Sequence, residues 1–360
     1  MLGIIAGHFG VGGVFHAFDP SRNVLHADTF TWQIGFTQLV DWGGDFGNAI
    51  FILITGYFMV SRTVHWKKLA LLLLTMLFYS WLIAVIVFGG HFQPVTVKSL
   101  LHAIFPIFFG ASWFVSCYII FSLFIPFINM FLTRLTKMQY QVFLLLFFIM
   151  FSVLPTFKFD TFFSEARISF FFMVYACGAY LKLFGAELIL PGRHKKYLHI
   201  FIAMLAVLLI SIVVADVLGL LFHQDIFLKA ALYTAFKAKA WLIPMAICLF
   251  MYFLSRPYFF NAPINKLAGT VLGIYLIHTN DLLSDIIWDR ILPNLDYIDS
   301  SWWILFYAGK VSAIFAICSL IELLRKHYIE PVMISGLDCC WPSLQHAVNY
   351  IQMKWKQRTE

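Results

Sequence analysis

Two histidines stand where ionisable side chains are rare: His8 in LGIIAGHFGVGG and His278 in GIYLIHTND, both inside apolar runs. An ionisable group at membrane depth is costly and usually faces a cavity, so each is a candidate functional residue. Imidazole titrates nearer neutrality than any other side chain, and an apolar surround keeps it neutral and ready to accept a proton from a hydroxyl. The alternative for each is a structural ring hydrogen-bonded to a neighbouring carbonyl. Gly3, Gly7, Gly10, Gly12 and Gly13 flank His8 and let another helix or a ligand come close. Asp281, Asp285 and Asp289 follow His278 at spacings of three, four and four, which puts all four on one face of a continuous helix, as if lining a wet cavity. Asn48, Thr55 and Arg62, seven apart, share a face elsewhere and form a second candidate wall. No P-loop, GxGxxG pattern or zinc-ligand spacing is visible, and no metal site is expected.

The elements that position these groups must live in lipid. Of the 360 residues 61% are hydrophobic and only 12% charged, against about a quarter charged in soluble domains. Forty-one Phe and eleven Trp suit acyl tails and headgroups. Cys117, Cys177, Cys248 and Cys318 sit in apolar runs as small hydrophobes and suggest no disulfide framework. A signal peptide's charged start and small-residue cleavage site are both missing.

A span needs about 20 mainly apolar residues, and ten such runs occur, near 1–17, 46–61, 69–88, 112–132, 141–154, 168–184, 198–218, 240–255, 267–287 and 302–324. With alternate loops given to alternate sides, sixteen of the twenty-five basic residues fall on one side, including Arg62, Lys67, Lys68, Arg325 and Lys326. The acids after His278 fall on the other. The positive-inside rule then makes both termini cytoplasmic, and the net charge of +7 reflects loop sorting rather than nucleic-acid binding. The expected fold is an all-α transmembrane bundle of about ten helices over 1–330. A cytoplasmic tail, 331–360, carries Leu344, Val348, Ile351 and Trp355 at amphipathic spacing for the inner leaflet. The stretch 99–109 is too short to span and holds Pro106, so it reads as an outer re-entrant or interfacial helix. Helix rise puts His8 roughly 10 Å from the chain start and His278 roughly 17 Å from the inner end of its run.

The glycine-flanked His8, the run GGDFGNAIFILITGYFM, the run SWFVSCYIIFSLFIPFIN and GIYLIHTN together resemble the acyltransferase-3 family of bacterial membrane proteins in order and spacing. The resemblance implies transfer of an acyl group, usually acetyl from acetyl-CoA as co-substrate, to a hydroxyl of a cell-surface glycan or its lipid-linked precursor. The location it implies is the bacterial cytoplasmic membrane, with lipids as neighbours and no bound cofactor. It makes His8 the general base on the acceptor hydroxyl. It matches Trp113 to an aromatic used for packing or sugar stacking, and Thr55, Gly56 and Tyr57 to a Ser-Gly-aromatic run. Asn48, Thr55, Tyr57, Trp113, His278 and Asp281 are then the candidate substrate-binding residues, His278 as cavity wall. Arg62, Lys67 and Lys68 are the candidate contacts for the CoA phosphates, unless they are basic only because inner loops are. The family also carries an Arg before the His of its first helix; the sequence starts at Met1, seven residues before His8, and has no counterpart.

Two other readings fit the same residues. A proton-coupled carrier of glycans or small acids would also use intramembrane His and Asp. A non-catalytic subunit of an envelope-synthesis complex would need neither histidine for chemistry.

Overall fold

The computed structural model describes residues 1–15, 25–109, 112–154, 167–189, 192–236 and 239–359, and among these all regular structure is helical. The chain opens with α1 (Leu2–Gly13), α2 (Trp32–Asp41), α3 (Gly43–Met59), α4 (Trp66–Gly89), α5 (Val97–Ile104) and α6 (Pro106–Phe109). The middle holds α7 (Trp113–Leu132), α8 (Lys137–Phe148, extended by a π turn, Ile149–Val153), α9 (Arg167–Phe184), α10 (His194–Phe222), α11 (Asp225–Phe236) and α12 (Lys239–Leu254). Last come α13 (Ala262–Ala268), α14 (Val271–His278), α15 (Asp281–Asp285, extended by a π turn, Ile286–Arg290), α16 (Trp303–Tyr328) and α17 (Glu330–Thr359).

Five of these, α4, α7, α9, α10 and α16, are long and apolar enough to cross a bilayer. In α10 and α16 only 17% of the most apolar stretch is buried, and Val213, Val217, Leu221, Leu305 and Leu320 face outward. Apolar side chains turned outward over such lengths require lipid as the solvent. The other five apolar runs coincide with helices that are shorter or broken. Pro106 splits 99–109 into α5 and α6, because its ring cannot continue the preceding turn. Helices α2 and α11 lie where the sequence suggested only loops. The tail is one helix that runs through Pro342. The side chains of Leu344, Val348, Ile351 and Trp355 lie outside the described residues.

Helix α1 packs with almost nothing between it and its neighbours. Gly3, Gly7 and Gly10 share a face, and that face meets the corner between α2 and α3. A Cβ on Gly43 would stand 2.6 Å from the Gly3 carbonyl oxygen, and one on Gly10 would stand 2.6 Å from the Asp41 carboxylate. Toward its C-terminal end Phe9 is fully buried among Trp288, Trp303, Phe306 and Tyr307, with ring centroids 5.1 to 6.1 Å away. The Phe9 carbonyl accepts from Asn294 Nδ2 at 3.0 Å, and Lys310 Nζ donates to Asn294 Oδ1 at 2.7 Å. His8 is therefore held between a backbone contact below and an aromatic cage above.

The run 267–287 is not the continuous span that the sequence suggested. After α14, Thr279 leaves the helical region and Asn280 is extended, with its side chain accepting from the Leu282 N–H at 3.0 Å to cap α15. Asn competes with the helix for backbone partners and favours caps, which is why the break falls here. His278 and Asp281 therefore lie on opposite sides of a break, and the expected His278, Asp281, Asp285, Asp289 stripe does not form.

Polar contacts from α16 hold the short α14. Lys326 Nζ donates to the Gly269 carbonyl at 2.5 Å, Thr270 and Ser319 hydroxyls meet at 3.3 Å, and Glu322 presses on Gly273, where a Cβ would stand 2.3 Å from its Oε2. Glu322 is fully buried and takes Arg325 through two hydrogen bonds, 2.8 and 2.9 Å, and the Tyr79 hydroxyl at 2.5 Å. Arg325 reaches on to Glu330 at 2.5 Å, tying α16 to α17.

At the α10–α11 corner, Asp225 accepts from the Ala27 N–H at 2.9 Å and lies 2.8 Å from His26 Nδ1. The Ala27 N–H and then the His26 ring hold its carboxyl below the usual range.

Two outcomes follow. Gly43→Ala, whose methyl meets backbone, lowers the thermal unfolding midpoint in detergent by an amount equivalent to about 1–3 kcal/mol, whereas Gly309→Ala, with open space around it, leaves it unchanged. The Asp225 contact is present above the ordinary carboxylate pKa of about 4 and is lost as pH falls through the lowered value. Hydrogen exchange at the Ala27 amide, corrected for intrinsic rate, accelerates in that acid range, and Asp225→Asn removes the dependence.

Candidate active site

The two histidines read from sequence meet, although 270 positions separate them: His8 Nδ1 lies 3.0 Å from His278 Nε2. The rings are 5.1 Å apart between centroids and tilted by 58°. His278 is fully buried, and its Nδ1 lies 2.6 Å from the Ile274 carbonyl oxygen, one turn earlier in α14. A carbonyl only accepts, so the proton is on His278 Nδ1 and, with the ring neutral, Nε2 is an acceptor. His8 Nδ1 must then donate to it. The His8 lone pair is left on Nε2, which has no hydrogen-bond partner among the described residues. One carbonyl thus sets the tautomer of two rings and turns the half-buried His8 into an oriented base.

A cavity of about 540 Å³ is bounded by α1, α3, α4, α7, α14 and the end of α13, and its lining includes neither histidine. Its lining is mainly apolar, from Ile54, Leu72, Ala268 and Gly269 at one end to Asn48, Phe114 and Tyr275 at the other. Tyr275 joins cavity to pair, because its ring lies 6.0 Å from His278 and edge-on to it. Phe114 and Val115, in the first turn of α7, belong to the lining at the same end.

A family model described as an acyltransferase domain, Acyl_transf_3, matches residues 1–323. The chain belongs to the acyltransferase-3 family. No curated protein and no solved structure matches it. Family and apolar helices together make the protein a membrane acyltransferase, and the oriented base is the feature such chemistry needs most.

The other sequence-derived residues of this acyltransferase scatter around that centre. Asn48 lines the cavity, its Oδ1 buried without a partner. Thr55 spends its hydroxyl on the Phe51 carbonyl at 3.0 Å, and Tyr57 packs against Phe58 and Phe250 under Lys182 Nζ, so the structure brings neither to the histidines. Arg62 and Lys68 are exposed, while Lys67 is paired with Asp338 of α17. Lys68 lies one turn from Leu72 in the lining, and Arg62 follows the end of the helix that carries Ile54. Trp113 stands at the start of α7 with the Arg167 guanidinium 5.0 Å from its ring centroid. Asp281 lies 3.4 Å from His102 and is half exposed.

Sequence reading passed over Tyr275, whose signal was its place three residues before His278 on the same helical face. It also passed over Asp41, which is fully buried against Gly10 with neither carboxylate oxygen bonded to a side chain among the described residues, and over Glu322, which counted only as part of an apolar run.

In ¹⁵N-histidine NMR of the protein in nanodiscs, His8 shows a protonated Nδ1 and an unprotonated Nε2. In His278→Ala the His8 ring loses that fixed tautomer and its two nitrogens average.

Proposed function

We propose that this acyltransferase moves an acyl group, most simply acetyl, from acyl-CoA to a hydroxyl of a cell-surface polysaccharide or its lipid-linked precursor. The single observation behind this reading is the His8–His278 pair, with His8 Nε2 unpartnered among the described residues. An acceptor hydroxyl placed at that nitrogen gives up its proton as its oxygen attacks the thioester carbonyl carbon. The imidazolium that forms keeps its Nδ1–H on His278, so no ring turns during the step, and it then returns the proton to the leaving sulfur.

The cavity suits the donor. Its apolar length accepts an acyl-pantetheine arm, and Arg62 and Lys68 stand near the Ile54 and Leu72 end, where the CoA phosphates would remain. Lys67 contributes there once it leaves Asp338. Trp113 and Asp281 lie toward the opposite side and are assigned to the glycan. Asn48, Tyr57, Thr55 and His278 keep their assignment around substrate, with His278 acting on the base and Thr55 and Tyr57 acting through packing of α3. This reading places ten spans over 1–330 in a bacterial cytoplasmic membrane, both termini inside, with 331–360 on the inner leaflet. No resident cofactor, metal or nucleic acid has a part in it.

The test is transfer of label from acetyl-CoA to glycan by membranes that contain the protein. His8→Ala reduces the rate by about 10²–10⁴-fold, the usual range for a general base, and undiminished transfer refutes the assignment. Arg62→Gln with Lys68→Gln raises KM for acetyl-CoA and leaves kcat in place.

A further inference from the structure

Among the described residues neither Asn48 Oδ1 nor the Tyr275 hydroxyl, both buried, makes a well-formed hydrogen bond, and both belong to residues that line the same cavity. Asn48 is 5% exposed and Tyr275 4%. Most buried polar atoms in proteins are satisfied, so an orphan in a cavity wall calls for a partner that arrives with the ligand. Other such atoms among the described residues, on Thr31, Gln38, Asp41, His194, Asp216 and Ser255, belong to residues outside this lining.

The two orphans differ in kind. Asn48 Oδ1 only accepts, so it suits an N–H. The Tyr275 hydroxyl donates, so it suits a carbonyl oxygen; its polar neighbours are the Thr279 side chain and the backbone N–H of Phe114 at the start of α7, where the helix dipole is positive. Tyr275 is also one turn before His278 on α14, next to the histidine that orients the base. A pantetheine thioester has amide N–H groups along its arm and a carbonyl at its end.

We propose that Tyr275 is the hydrogen-bond donor to the thioester carbonyl oxygen and that Asn48 accepts an amide N–H of the pantetheine arm, both within this cavity; the assignment rests on the acyl-CoA reading above. The acceptor oxygen bonds to the carbonyl carbon while its proton passes to His8 Nε2. The carbonyl π pair moves onto oxygen, where the Tyr275 hydroxyl meets the developing charge. Collapse breaks the carbon–sulfur bond, the thiolate takes the proton back from His8, and ester and free CoA result. Tyr275 keeps its own proton throughout.

Tyr275→Phe, which removes one oxygen and little volume, lowers kcat by about 10²-fold with KM for acetyl-CoA within twofold. Asn48→Leu raises that KM roughly tenfold, the value of one hydrogen bond. A second readout is independent of turnover. The ketone analogue of acetyl-CoA, with methylene in place of sulfur and ¹³C at the carbonyl, binds the wild type with its resonance moved downfield. Tyr275→Phe binds it and loses the shift. An unchanged kcat, or an unchanged shift, in Tyr275→Phe overturns the assignment. Transfer by the wild type together with those outcomes sinks only this proposal, whereas a wild type that neither transfers acetyl nor binds the ketone analogue sinks the acyl-CoA reading with it.

Discussion

Helix α1 reaches the middle of the bundle only because it presents hydrogen atoms where other helices present side chains. Lipid tails are as apolar as Leu, so helices in a membrane gain little from apolar burial and associate through close packing. The Gly3–Gly43 and Gly7–Gly44 approaches maximise that packing, and the aromatic cage around Phe9 fixes the other end. The position of His8 follows from both.

The second histidine depends on a different device. Helix α14 has eight residues between two breaks, so its own hydrogen bonds cannot satisfy all its backbone ends. Non-helical backbone at membrane depth survives where protein covers it. Here α16 does so with a polar face, Ser319, Glu322 and Lys326, three and four residues apart. A buried carboxylate would be expensive alone, but Glu322 has Arg325 in bidentate contact and the Tyr79 hydroxyl besides. The ionic cluster thus sets the seat of α14, and α14 supplies the Ile274 carbonyl that orders both imidazoles.

The break in α14–α15 also divides the chemistry. Had the helix continued, His278 would share a face with three aspartates and could pair with Asp281, three residues on. With the break, Asp281 lies beside His102, and among the described residues the His278 ring has a carbonyl and another histidine as its hydrogen-bond partners. An imidazole between those partners is a relay that orients; beside a carboxylate it would be a charged pair.

Sequence alone determined the solvent, the apolar runs, the family and the need for small residues around His8, because these depend on composition and on local spacing that any fold must respect. It marked His8 and His278 through a local rule, the cost of an ionisable group in lipid, without revealing that they touch. It misread the aspartate stripe because a face can be projected only along an unbroken helix, and the Asn280 cap was a weaker signal than the apolar pattern around it. Thr55 shows the same limit: spacing put it on a wall with Asn48, but its hydroxyl turns back to its own helix. Only the tertiary structure decided the His8–His278 contact, the tautomers that follow from the Ile274 carbonyl, the burial of Glu322 and the place of Tyr275 in a cavity wall. Hydrogen-bond direction and burial are relations between segments hundreds of residues apart, and no local pattern encodes them.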